Sequence, residues 1–286
     1  MSLRTSLFLT GAVALSAPLL AASAQADQVR ARYAVTLLGI PLGTAALDGD
    51  VNGAAYKIAV NAKLTGLAAM MSSSRGAATA TGGYTKGLII PAAYANTSAN
   101  AKETRTVRMS MQGGAVKGVD ISPPIDPVPD RVPLTPAHTR GVVDPLSALM
   151  MPVPGAEPVV GPAACNRTLP VYDGFTRFDV TLTYAGTRPV KSTGYSGKVV
   201  VCNVRYTPIA GHRIRKPVQF MADNKDIQVW LAPVGDARMV VPYRISVATM
   251  IGTTVIEATS FETDASKVDT GKINTGKADA GKTPTL

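Results

Sequence analysis

The sequence predicts an all-β protein: an antiparallel meander curled into a barrel or β-spiral, with two short helices near 65–72 and 145–151. Three observations carry this. Apolar and polar residues alternate with a period of two in segment after segment, which marks strands with one buried face. Gly, Pro and Asn turns separate these segments about every ten residues. Only two stretches break the alternation with apolar residues three and four apart. Closing or spiralling such a meander hides its sheet edges.

Taken in order, the segment 32–38 reads as the first strand, followed by the turn Gly39-Ile40-Pro41-Leu42-Gly43. Segments 44–50 and 54–64 form a hairpin across Val51-Asn52-Gly53, because Asn-Gly favours the tight primed turn. Leu67, Met70 and Met71 then fall at helical spacing. Strands resume at 75–81, 92–100 and 103–111, the last with Val107, Met109 and Met111 facing inward, and 115–122 completes a hairpin through Gly113-Gly114. Prolines crowd 123–136; each lacks a backbone donor, so the stretch reads as an extended surface loop. In the second helix Asp144 is the cap, Pro145 takes the first helical position, and Leu146, Leu149 and Met150 share one side before Pro152 ends it.

The stretch from Cys165 to His212 is the most informative. Phe178, Val180, Leu182 and Tyr184 share one strand face, and Val200, Cys202, Val204 and Tyr206 share another. Further strands are expected near 218–221, 227–231, 239–248 and 253–261, with Trp230 on the opposite face from Ile227, Val229 and Leu231. From 263 to 286 the chain is polar and lacks aromatics, so it cannot bury enough apolar area to order itself.

The N-terminal segment and the two cysteines indicate the compartment. Residues 1–26 carry Arg4, the apolar run Leu7 to Leu15 and a small-residue ending, Ala22-Ser23-Ala24-Gln25-Ala26, which reads as a signal peptide. The run is too short to span a bilayer, and no later segment is long and apolar enough to do so. Export to the periplasm turns the chain's two cysteines, Cys165 and Cys202, into an expected disulfide. Closing a loop of 37 positions is worth about 3–4 kcal/mol. The body left between the ends, 27–262, is long enough for one β domain with its own core.

Gly39-Ile40-Pro41-Leu42-Gly43, Val143-Asp144-Pro145-Leu146-Ser147, Leu169-Pro170-Val171-Tyr172-Asp173-Gly174 with Arg177-Phe178-Asp179, and the cysteine pair with Pro208-Ile209-Ala210-Gly211-His212-Arg213 together resemble the domain-of-unknown-function family 3108 of exported bacterial proteins. The likeness spans roughly 32–261. It implies a periplasmic, mostly β protein and supplies no catalytic residue.

The residues themselves bound the chemistry. The net charge of +10 is scattered along polar strand faces and in the tail, with no basic helix and no basic run interleaved with aromatics. That argues against nucleic acid and for weak attraction to an anionic envelope surface. The two histidines, His138 and His212, stand in no zinc-ligand pattern, and no cofactor is expected. Ser147, His212 and Asp173 supply the residue types of a hydrolase triad, yet no Gly-x-Ser-x-Gly elbow supports Ser147. Asp144 and Ser147 also serve as helix caps, and Asp173-Gly174 as a turn. Leu67, Met70, Met71, Leu146, Leu149 and Met150 either plug the barrel interior or line a site for an apolar ligand, since methionine adapts to irregular shapes. The expected function is therefore a non-enzymatic envelope protein holding a lipid, another apolar ligand or a partner polypeptide. The alternative is a hydrolase acting on an envelope lipid or polymer.

Overall fold

The computed structural model describes residues 27–71, 74–85, 88–235 and 237–263. The expected signal peptide and the tail beyond 263 lie outside the described residues, as do the side chains of Leu67, Met70 and Met71. Fourteen strands follow one another: β1 Asp27–Leu37, β2 Ile40–Asn52, β3 Ala55–Leu64, β4 Arg75–Thr85, β5 Leu88–Ala99, β6 Thr104–Gln112, β7 Ala115–Ser122, β8 Met151–Pro152, β9 Arg167–Tyr172, β10 Arg177–Ser192, β11 Tyr195–Ala210, β12 Ile227–Val234, β13 Met239–Thr249 and β14 Gly252–Thr263. Two α-helices, α1 Gly66–Met71 and α2 Lys216–Asp223, interrupt them.

All fourteen belong to one antiparallel sheet, in the order β7-β6-β5-β4-β3-β2-β1-β14-β13-β12-β11-β10-β9, with β8 added to β13. The order shows how the meander wraps. The chain lays out β1 to β7 in one direction, then returns to build β9 to β14 from the far end until β14 pairs with β1. The sheet is not closed by strand pairing, so it is a spiral. Its two ends are bridged by residues 140–143, the start of a strap that continues through residues 144–151. Val142 N–H donates to the Gly114 carbonyl beside β7 at 3.1 Å, and Val143 N–H donates to the Pro170 carbonyl of β9 at 2.9 Å. Tyr172 N–H returns a bond to the Val143 carbonyl at 2.9 Å. The strap satisfies backbone groups that an open edge would leave to solvent or to another chain.

Alternation sends one face of nearly every strand into the curl. Val29, Leu47, Tyr56, Ile58, Tyr94, Val107, Met109, Met111, Val241, Tyr243 and Phe261 form this first apolar cluster. Gly82 is required there because a Cβ would stand 2.2 Å from the Ile90 carbonyl oxygen and 2.7 Å from the Tyr56 ring. At β11–β13 the opposite face is buried as well. Val200 and Cys202, Val229 and Leu231, and Val240 join Leu182, Met151, Val153 and Cys165 in a second cluster. The run Val199-Val200-Val201-Cys202 is buried on both sides, as a continuous apolar run in a central strand should be.

Three expectations need correction. The turn placed over Gly39–Gly43 is only Leu38-Gly39, since Ile40 already pairs with Leu37 at the start of β2. The helix placed over 145–151 is a single 3-10 turn, Ser147–Leu149. Pro152 forbids a longer helix and disfavours helical angles at Met151, and β8 instead pairs Met151 with Val240 and Pro152 with Met239. The strand placed near 218–221 is helix α2. Pro217 sits in its first turn, where proline is favoured, and Arg205 of β11 donates to the carbonyls of Ala222, Asp223 and Asn224 at its end. A cation at a helix C-terminus satisfies carbonyls that have no partner within the helix.

Candidate functional site

Residues 144–151 lie between the two apolar clusters, and their placement follows from a buried polar network. Asp144 is fully buried, and its Oδ1 accepts from the N–H groups of Leu146 at 3.0 Å and Ser147 at 2.9 Å. Ser147 Oγ donates to Asp144 Oδ2 at 2.5 Å and lies 2.6 Å from the Tyr56 hydroxyl on β3, so Tyr56 is its donor. Short serine and aspartate side chains cap backbone donors in this way, and burial makes each bond matter more because no water can replace it. Burial pushes the Asp144 carboxyl above its usual range against the pull of these hydrogen bonds, and it pushes the Tyr56 hydroxyl up as well.

Anchored at this point, the segment turns different residues to each side. Leu146 and Met150 are buried in the first cluster. Pro145, Ala148, Leu149 and Met151 face the other way and cover a cavity of about 190 Å³. Its remaining wall comes from Leu169 and Val171 of β9, Phe178, Val180 and Leu182 of β10, Val204 of β11, Ile227 and Val229 of β12, and Pro242 and Ile245 of β13, with Gln228 as the one polar residue. Strand register assembles this wall: Val180 opposes Leu169 and Leu182 opposes Val204. Of the apolar residues expected to line a ligand site, Leu149 borders this cavity, whereas Leu146 and Met150 are buried in the first cluster.

The same region is stapled covalently. Cys165 and Cys202 are bonded, with sulfurs 2.05 Å apart and Cα atoms 5.8 Å apart, and both are almost fully buried. Cys165 precedes β9, so the bond ties the loop before β9 to the middle of β11. Arg167 holds the same loop by donating to the carbonyls of Pro152 at 2.7 Å, Ala163 at 2.6 Å and Cys165 at 3.3 Å. Burial lowers its pKa.

Ser147, Asp173 and His212 are not hydrogen-bonded to one another. Ser147 is spent on Asp144 and Tyr56. Asp173 Oδ1 accepts from the N–H groups of Phe175 at 3.0 Å and Thr176 at 2.6 Å, closing its own turn. His212 carries a buried Nδ1 with no hydrogen-bond partner, while its backbone carbonyl accepts from Val132 N–H at 2.9 Å and pins the proline-rich loop. His138 accepts from Thr135 N–H at 3.1 Å within that loop. Among the described residues, no group of three His, Cys, Asp or Glu side chains stands ready to hold a metal ion. No helix among them is long and apolar enough to cross a membrane.

The geometry defines an open β-spiral with a second, stapled apolar layer and a small apolar cavity beneath a pinned strap. The chain belongs to the family described as a protein of unknown function (DUF3108), whose model matches residues 32–259. A solved structure, a β-barrel-like protein of domain of unknown function DUF1849 from Brucella abortus, is similar at 12% identity and a TM-score of 0.48, covering 82% of this chain and 97% of that one. Among curated proteins, none matches the chain.

Proposed function

We propose that this is a non-enzymatic protein of the bacterial periplasm, exported by its N-terminal segment, that holds the acyl chain of an envelope lipid. The observation that carries the reading is the cavity of about 190 Å³ between residues 145–151 and β9–β13, walled by apolar side chains with Gln228 alone as a polar neighbour. An apolar cavity of about 150 Å³ stays dry and takes benzene, whereas sites for whole small molecules run to roughly 300–1,000 Å³. A cavity between these sizes suits the end of an alkyl chain while the rest of the lipid remains outside. The buried disulfide supports a location outside the cytoplasm, where such bonds persist. The engagement of Ser147 and Asp173 in structural bonds supports this reading over that of a hydrolase.

A fluorescent apolar probe, N-phenyl-1-naphthylamine, tests this. The protein should enhance its emission, and decanoate should displace it, whereas V180W, which fills the cavity, should abolish the enhancement. Equal enhancement by V180W would place probe binding elsewhere and end the reading.

A further inference from the structure

The end of the spiral formed by the β1–β2 and β13–β14 turns carries an apolar tip that nothing in the fold requires. Leu38 is 67% exposed, Ile40 63%, Met250 58% and Ile251 73%. The two turns are neighbours because β1 pairs with β14: Leu37 opposes Thr254, and Leu38 N–H donates to the Thr253 carbonyl at 3.0 Å. Leu38 also sits in the left-handed region, with φ of 51°, over Gly252. Asparagine or glycine would suit that position better in both backbone and solvation. Four large apolar side chains held together in water at adjacent hairpin tips mark a contact surface.

Charge indicates what it contacts. Along the sheet from the tip, Thr44 opposes Lys63 and Lys63 opposes Arg75. These residues line an open groove of about 670 Å³ with Arg32 and Asn61, and no carboxylate lines it. Arg32 reaches Asp48 at 3.3 Å through an exposed pair worth little in water. Beside the second turn, Lys225 and Asp226 offset each other, and the Asp226 carbonyl accepts from Ala248 N–H. An apolar tip bordered by a cationic groove matches the two layers of an anionic lipid interface, acyl region and headgroups. We infer that the Leu38–Ile40 and Met250–Ile251 turns insert into the surface of a bilayer containing anionic lipid, with Lys63 and Arg75 against the headgroups. The inference is independent of the acyl-chain cavity, which lies on β9–β13, and either can fail without the other.

The test is co-sedimentation of the exported chain, residues 27–286, with vesicles of phosphatidylglycerol and phosphatidylethanolamine, against vesicles of phosphatidylcholine. Wild type should bind the anionic vesicles. The variant L38N/I40T/M250Q/I251S, which keeps turn-compatible side chains, should bind at least about tenfold more weakly with an unchanged unfolding midpoint. Should that variant fold poorly, I251S alone should still weaken binding severalfold. K63Q/R75Q should lose about twenty-fivefold on anionic vesicles, from about fivefold per cation near such a surface, and nothing on phosphatidylcholine. Absence of wild-type binding, or equal binding by the tip variant, overturns the inference. A wild-type dimer in sedimentation that the tip variant converts to monomer also overturns it, by assigning the tip to a second copy.

Discussion

Replacing Ser147 with alanine removes the hydroxyl that joins β3 to the strap over the cavity. Two partners are left behind. The Tyr56 hydroxyl loses the acceptor at 2.6 Å, and the Asp144 carboxylate keeps only its two backbone donors. Ser147 is 1% exposed and Tyr56 3% exposed, so water does not restore the bonds. An unsatisfied buried group costs about 1–3 kcal/mol, and Asp144, still accepting from two N–H groups, belongs at the low end. The total is about 2–4 kcal/mol. For a domain of this size each kcal/mol moves the midpoint by about 2–4 °C, so S147A should melt on the order of 10 °C below wild type. The attribution is tested by a cycle with Y56F. Because both substitutions break the same bond, the double variant should be less destabilised than the sum of the singles by more than about 0.5 kcal/mol. Strict additivity, or a loss in S147A below about 0.5 kcal/mol, would refute the network as the anchor of the strap.

The remaining predictions concern acid and redox behaviour. Burial raises the folded-state pKa of Asp144, so the fold binds that proton more tightly than the unfolded chain does. Its contribution is greatest at low pH, falls as pH rises from about 3.9 through the raised folded value, and is flat above that. In urea titrations D144N should lack this fall, and a wild-type minus D144N difference that grows with pH would contradict it. Asp130, held low mainly by Arg213, acts in the opposite sense in both proteins and cancels in the difference. Removing the disulfide in C165A/C202A should cost about 4 kcal/mol, from the chain-entropy relation for a 37-position loop. Both sulfurs are buried, so reductant should leave the folded protein unchanged and act only in denaturant. Rapid reduction of the native protein would show the second apolar layer to be open.

Much of the fold was legible because strands with one wet face announce themselves. Val107, Met109 and Met111 alternate with charged or polar neighbours, and all three are buried. The hairpin of β2 and β3 was legible from Asn52-Gly53, although its turn falls one residue later, at Gly53-Ala54, because Asn52 pairs with Ala55. What failed was local and short. Val218 to Met221 fits a period of two only because four residues are too few to exclude helical spacing, and the decisive contact, Arg205 on the carbonyls closing α2, comes from a strand earlier in the chain. Asp144 and Pro145 are a sound helix start, yet the strap obeys Pro152 and the pairing of Met151 with Val240. The cavity was hidden for a different reason. The face Phe178-Val180-Leu182 reads as core, and whether such a face meets a filled or an empty space depends on the distant residues that register brings to it. Cys202 opposing Val229 is what places Ile227 and Val229 beside Val204. The exposed tip was equally hidden, since Gly39 to Gly43 reads as a turn, and only its pairing beside Met250 and Ile251 shows four apolar residues meeting in water.

Native mass spectrometry of protein purified from a bacterial host tests most directly the proposal that the cavity beneath residues 145–151 holds an acyl chain. Wild type should carry a non-covalent adduct of lipid mass, lost on gentle activation. A148W should carry none, because Ala148 lines the cavity and an indole there would occupy it. Wild type free of any lipid adduct, or an adduct equally abundant on A148W, would contradict the account.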